Sequence, residues 1–372
     1  MKVLILTCNT GGGHNSTAAA LAEQFAAWGH SCQIRDCLEL LSPAKARLIS
    51  EGHVLLYRKA PRLFGLGYKF EENHVPRYLR TQCAACAGEL VQAVQDAGCD
   101  AIVCVHVFPA IMVTEAARSC GLTTPGYFVA TDYTCSPGVS SSDMELYFIP
   151  HPALVDEFVR CGIPQDRLVP SGIPVRRSFL EARPQAQARQ ALGLPQQGRV
   201  LVLVCGSMGA GPMEELTQAL TRVLTEDDRL VVICGTNKRL REKIIRSCYA
   251  PHLRILGFTN KVDLYMDAAD LLLTKGGGLT TTEMLHKHLP TLLVNVIPGL
   301  EERNIDFLVS HGYARTADTP EALAALAGQL LAHPGTLAAW RETLTQAFSF
   351  SPAQIICEEI CRDFGLEPPA AP

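Results

Sequence analysis

Short runs of apolar, β-branched residues alternate with helical patterns through the first half of the chain. Val3–Leu6, Ala101–Val107 and Tyr127–Ala130 are apolar at nearly every position. Strands covered on both faces of a parallel sheet read this way. A helical pattern, Thr17–Trp28, follows the first run, and another, Cys83–Ala97, precedes the second. A further run, Glu145–Ile149, stops at Pro150-His151-Pro152. This alternation predicts a doubly wound α/β domain.

The pattern then restarts. Arg167–Pro174 and the Pro/Gln-rich stretch Pro184–Gly198 read as a linker region. Five strand-like runs follow: Val200–Cys205, Leu230–Cys234, Leu253–Leu256, Leu271–Leu273 and Thr291–Val294. They predict a second α/β domain. In Ser351–Phe364 the spacing of Ile355, Ile356, Ile360 and Phe364 predicts a terminal helix, with Pro368–Pro372 frayed beyond it. The expected division is an N-terminal domain at 1–170, a C-terminal domain at 171–350 and a helix and tail at 351–372.

A length of 372 residues, 48% hydrophobic and 19% charged, suits two well-filled cores. The net charge of −4 offers no general basic field, so nucleic acid is not expected as a partner. No stretch reaches the ~18–20 apolar residues of a spanning helix. The start lacks a signal peptide's basic region and cleavage site. The expected location is therefore the cytoplasm. Fifteen cysteines scattered through apolar runs argue against a disulfide framework. Cys83 and Cys86 form a single C-x-x-C, a weak zinc signal beside the plainer reading of small buried hydrophobes.

Three glycine turns carry the candidate chemistry. The first, Gly11-Gly12-Gly13-His14, follows strand Val3–Leu6 and leads into an Ala-rich helix. Such a turn lets backbone approach a ligand and presents helix amides to negative charge. It lacks the G-x-G-x-x-G spacing of dinucleotide folds and the Gly-Lys-Ser/Thr of a P-loop. A plain strand–helix turn is the alternative. His14 favours a functional one, because a neutral imidazole suits a general base near pH 7, or a phosphate partner. Asp132 comes just after the run Tyr127–Ala130, where it could be the base or could orient His14. The second turn is Gly206-Ser207-Met208-Gly209-Ala210-Gly211. The third, Lys275-Gly276-Gly277-Gly278-Leu279-Thr280, leads into a helix bearing Glu283, placed to face a pair of ligand hydroxyls. Three such turns at strand ends across two domains point to a nucleotide diphosphate.

In Tyr57–Arg80, the basic residues Arg58, Lys59, Arg62 and Lys69 interleave with Phe64 and other apolar side chains. This suits contact with an anionic membrane surface, against the alternative of an ordinary solvated loop.

The start Gly11-Gly12-Gly13-His14-Asn15-Ser16-Thr17-Ala18 resembles that of the monogalactosyl- and glucosyl-diacylglycerol synthases. Thr131-Asp132-Tyr133, the Ser207 turn, Gly276–Glu283 and Pro298-Gly299-Leu300-Glu301-Glu302-Arg303-Asn304 carry the likeness along nearly the whole chain, and the second half resembles the wider family 28 of GT-B glycosyltransferases. The resemblance implies two facing Rossmann-like domains with an interdomain cleft. It implies inverting transfer of a hexose from a UDP-sugar to diacylglycerol or a related membrane lipid, without metal or other cofactor, by a peripheral protein on the inner face of the cell membrane. No Asp-x-Asp occurs, in keeping with that.

The residues themselves make His14 and Asp132 the catalytic candidates, with Gly13 bordering the donor, and the resemblance implies the rest of the donor site. Gly206, Ser207, Met208 and Gly209 hold the diphosphate, with Gly277, Gly278, Leu279 and Thr280 close to it. Phe258 and Thr259 line the uracil, and Glu283 binds the ribose. The Leu300-Glu301 position reads the sugar. The family has Gln where Leu300 stands, which removes one sugar contact. It often has His and Trp after Thr-Asp-Tyr, where this chain runs Thr134-Cys135-Ser136-Pro137-Gly138. Three other readings are a transferase to a polyprenyl-linked acceptor, a nucleotide-sugar epimerase and a non-catalytic UDP-sugar sensor.

Overall fold

The computed structural model describes residues 1–9, 12–40, 81, 83–294, 296 and 300–367. The expected membrane segment with Arg58, Lys59, Arg62, Phe64 and Lys69 lies outside these, as do Gly11, Pro298, Gly299 and the Leu300 side chain. The chain folds as two compact units, Met1–Arg177 with Ser351–Pro372, and Ser178–Phe350.

Unit 1 is built on a six-stranded parallel sheet of order β2-β1-β3-β4-β5-β6. The strands are β1 Lys2–Thr7, β2 Ser31–Asp36, β3 Ala101–Cys104, β4 Gly126–Val129, β5 Leu146–Ile149 and β6 Leu168–Pro170. Val3 pairs with Cys32 on one side and Ala101 on the other. β1, β3 and β4 are buried almost throughout, which is why their sequences lack alternation. Helix Gly12–Ala27 lays Leu21 and Phe25 on the sheet beside Ile5, Val103 and Tyr127. The terminal helix Pro352–Asp363 adds Ile356, Cys357 and Ile360 to the same core. The tail thus returns to the first unit, and Tyr127 Oη donates to Asp363 Oδ2 at 3.1 Å.

Three local features depart from the sequence reading. The run Ala101–Val107 is two elements: β3 ends at Cys104, and His106 caps helix Val107–Cys120 by accepting the Phe108 amide at 3.1 Å. β2, half-exposed at the sheet edge, gives no apolar run to read. The expected linker contains edge strand β6 and helix Gln185–Leu192.

Unit 2 repeats the plan with order β12-β11-β10-β7-β8-β9. Its strands are β7 Val200–Val204, β8 Arg229–Ile233, β9 Leu253–Leu256, β10 Leu271–Lys275, β11 Thr291–Val294 and β12 Arg315–Thr316. All five side chains of β7 are buried. Each buried Val or Leu stabilises the fold by about 1.5–3 kcal/mol.

In both sheets the first strand lies inside. The chain runs outward from β1 to β2 and then crosses to β3. Likewise it runs from β7 to β8 and β9 and then crosses to β10. The carboxyl ends of β1 and β3, and of β7 and β10, are the switch points where open α/β sheets form ligand crevices.

Candidate active site

In unit 1 the helix begins at Gly12, so Gly12, Gly13 and His14 form its first turn. His14 sits half-buried at the β1/β3 switch point. Its Nδ1 lies 3.0 Å from the Val105 carbonyl, just beyond β3. A carbonyl only accepts, so Nδ1 carries the proton, and in the neutral ring Nε2 keeps its lone pair. Thr131 Oγ1, beyond β4, lies 3.3 Å from the same Nδ1. That contact brings the segment bearing half-buried Asp132 to the histidine. His106 meets His14 edge-on, with ring centroids 4.6 Å apart. The following stretch is pinned from helix Val155–Arg160, where Glu157 Oε1 accepts from Thr134 Oγ1 at 2.6 Å and the Cys135 amide at 2.7 Å.

In unit 2 the turn after β7 folds tightly, with the Ala210 amide bonded to Cys205 O at 3.0 Å. Ser207 is exposed and Met208 half-buried. Gly209 has φ +54°, and a Cβ there would lie 2.3 Å from Cys234 O, so no other residue fits. The turn after β10 opens helix Gly278–His286. Its cap residue, Gly277, offers no side-chain bond to the first amides. The N–H groups of Gly278, Leu279 and Thr280 therefore form a positive helix end without an intrahelical partner. Glu283, one turn further, is buried.

Lys275 joins the two turns. Its side chain packs on Gly206 and Gly277. Its Nζ lies 2.5 Å from Glu301 Oε1, with the two side chains 17% and 4% exposed. Asn304 fixes the same turn by donating to Gly276 O at 2.8 Å. Gly276 is crowded by helix Leu300–Ser310, for a Cβ would meet Ile305 Cγ1 at 2.6 Å. Phe258, just beyond edge strand β9, is 68% exposed. Thr259 Oγ1 accepts the Lys261 amide at 3.1 Å.

The sequence motifs contain Lys275, Thr131 and Asn304 without assigning any of them a role, and nothing in the sequence singles out His106. The lysine beside a glycine turn was a usable signal. The carbonyl that holds His14 was not, since it is a backbone group 91 residues away. Among the described residues, one group has metal-ligand spacing: Cys8, Asp36 and Cys37. Cys83 and Cys86 are not in it. Burial pushes the Cys83 and Cys205 thiols up to about 12, which suits small core side chains better than reactive ones.

Residues 14–175 match the family model for monogalactosyldiacylglycerol (MGDG) synthase, and residues 200–334 match the glycosyltransferase family 28 C-terminal domain. A processive diacylglycerol β-glucosyltransferase of Bacillus subtilis is 26% identical, with 97% of this chain and 95% of the relative covered. A probable chloroplastic monogalactosyldiacylglycerol synthase of Glycine max is 27% identical, with 88% of this chain and 64% of the relative covered. The fold resembles that of Acinetobacter baumannii MurG, with TM-score 0.66, 17% identity, and 97% and 99% of the two chains covered. It also resembles Anabaena HepE in complex with UDP-glucose, with TM-score 0.60, 15% identity, and 98% and 99% covered. Two Rossmann-like parallel sheets with glycine turns at their switch points, matched in turn by these two models, place the chain in the family that joins an MGDG synthase domain to a family 28 C-terminal domain, and make it a glycosyltransferase.

Proposed function

We propose that this enzyme transfers a hexose from a UDP-sugar to diacylglycerol or a closely related membrane lipid, with inversion and without a metal ion. The acceptor class rests on the printed activities of the B. subtilis and G. max relatives. The donor class rests on the UDP-glucose complex of HepE and on the S. aureus MnaA–UDP structure, which shares the fold at TM-score 0.65 and 14% identity. The enzyme works as a peripheral protein at the inner face of the cell membrane.

The observation that carries the mechanism is the bond between His14 Nδ1 and Val105 O. It holds the imidazole in the tautomer a base needs. Nε2 takes the proton from the acceptor hydroxyl as its oxygen attacks the anomeric carbon, and the bond to the UDP oxygen breaks on the opposite side. Asp132 stabilises the imidazolium. The charge on the departing UDP falls on the Ser207–Gly211 turn, on the amides of Gly278, Leu279 and Thr280, and on Lys275 held by Glu301. Glu283 takes the ribose hydroxyls, and Phe258 and Thr259 flank the base. Leu300 in place of a polar residue relaxes one contact to the sugar.

The anomeric configuration of the product, read by NMR, tests this chemistry. An α-linked UDP-sugar should give a β-linked glycolipid. An α-linked product would overturn the single-displacement mechanism and the role of His14 in it.

A further inference from the structure

Among the described residues, Cys8 and Cys37 bring their thiols to a carboxylate, that of Asp36. The sheet itself makes this meeting. β1 and β2 run parallel, and their last paired residues are Thr7 and Asp36. Cys8 and Cys37 come next on each chain, so the two thiols leave neighbouring strand ends side by side. Both are buried, and the thiols are hydrogen-bonded to each other. One ligand atom from each of the three residues lies within 4.8 Å of the other two. A tetrahedral zinc ion with bonds of about 2.3 Å needs its donors about 3.8 Å apart, so shifts of roughly 1 Å or less close the site.

The carboxylate is already aimed. Asp36 Oδ1 accepts the amides of Leu38 at 3.0 Å and Asn9 at 3.3 Å. Those bonds fix its direction and leave Oδ2 to a cation, as hydrogen bonds to ligating carboxylates do at metal centres. Asp36 is half-buried and Asn9 exposed, which gives an ion a way in past the carboxylate. Capping accounts for Oδ1, and plain packing could account for the thiols taken alone. A carboxylate set against two buried thiols gains nothing unless a cation lies between them. A third thiol, that of Cys104, is close enough to act electrostatically on Cys37. Cys104 pairs with Leu6, two residues before Cys8.

We propose that Cys8, Cys37 and Asp36 bind one zinc ion, with Cys104 or a water in the fourth position. Each ligating thiol releases its proton to solvent as its bond to the metal forms. Two thiolates select a borderline-soft cation over magnesium or manganese, and the carboxylate favours zinc over copper(I). The ion is structural. It ties the end of β1 to that of β2 at the foot of the turn leading to His14, where Thr7 Oγ1 also donates to Asn15 Oδ1 at 2.8 Å. It touches neither substrate, so the transfer chemistry above does not depend on it.

The test uses the full-length protein, purified under reductant and stripped of metal. Titration with cobalt(II), a spectroscopic stand-in for zinc, should saturate at one ion per chain. It should show a thiolate-to-cobalt charge-transfer band and the visible bands of tetrahedral cobalt. Zinc should displace the cobalt and raise the melting temperature. Alkylation in mild urea, read by peptide mass mapping, should show Cys8 and Cys37 protected by zinc. Cys37→Ser should weaken zinc binding by about 100-fold. Cys120→Ser with Cys161→Ser, both exposed, should leave binding unchanged. No charge-transfer band in the unaltered protein would overturn the proposal. So would zinc protection confined to other cysteines, or binding lost with the two exposed ones. The mapping reads the unaltered chain, so it decides the matter even if Cys37→Ser fails to fold.

Discussion

His14 shows how a backbone carbonyl can set the chemistry of a side chain. With its Nδ1 proton held by Val105 O at 3.0 Å, the neutral ring has one lone pair to offer, on Nε2. Replacing His14 with Ala should lower turnover by roughly 10²–10⁴ and leave UDP affinity, measured by calorimetry, near that of the parent. A parallel fall in UDP affinity would make His14 a phosphate contact instead. Lys275 invites a different experiment. Lys275→Ala leaves Glu301 buried without its cation, at a cost to stability of about 3–5 kcal/mol. Adding Glu301→Ala should restore much of that stability but not UDP affinity. If the double variant binds UDP like the parent, the pair is structural only. The sequence allowed a histidine after glycines at a strand end to be read as a base or phosphate partner. It held no trace of the tautomer, which depends on chain 91 residues away, nor of the ion pair across 26 residues.

Elements were legible where burial was complete. The apolar runs of β1, β3, β4, β7, β8, β10 and β11 stand out because both faces of each sheet's middle are covered. Edge strands β2, β6 and β12 are short or half-exposed and carry no such signal. Helix Val107–Cys120 merged with β3 in the sequence because apolar Val105 and Val107 flank the His106 cap. Helix Gly278–His286 brings a pH effect of its own. At its end, His286 is buried against Phe348 and Phe350, and burial lowers its pKa to about 4. The unfolded chain, near 6.5, binds more protons between those values. The neutral histidine's contribution is therefore present above pH 6.5 and is lost as pH falls towards 4, a difference of order 3 kcal/mol. Chemical denaturation at pH 7 and pH 4.5 should show His286→Asn losing less stability on acidification than the parent. Equal losses would remove His286 as a cause.

At the scale of the whole molecule, the proposed mechanism divides the work between two six-stranded parallel sheets. In that proposal unit 1 supplies the base and unit 2 the donor's charge partners. The division follows from the switch points, where crossover connections leave the strand ends open to ligands. The doubled α/β pattern was readable from the chain. The return of Ser351–Pro372 to unit 1 was not, because the apolar stripe of its helix fits any sheet face. If, as proposed, helix amides and Lys275 oppose the leaving diphosphate, transfer should continue in EDTA. Activity abolished by EDTA and restored by magnesium or manganese would contradict that. The central claim is tested most directly by incubating the purified enzyme with UDP-glucose or UDP-galactose and diacylglycerol micelles, and weighing the extracted lipid by mass spectrometry. The account predicts diacylglycerol heavier by one hexose or more, formed only when both substrates are present. Consumption or isomerisation of the UDP-sugar with no gain in lipid mass would contradict it.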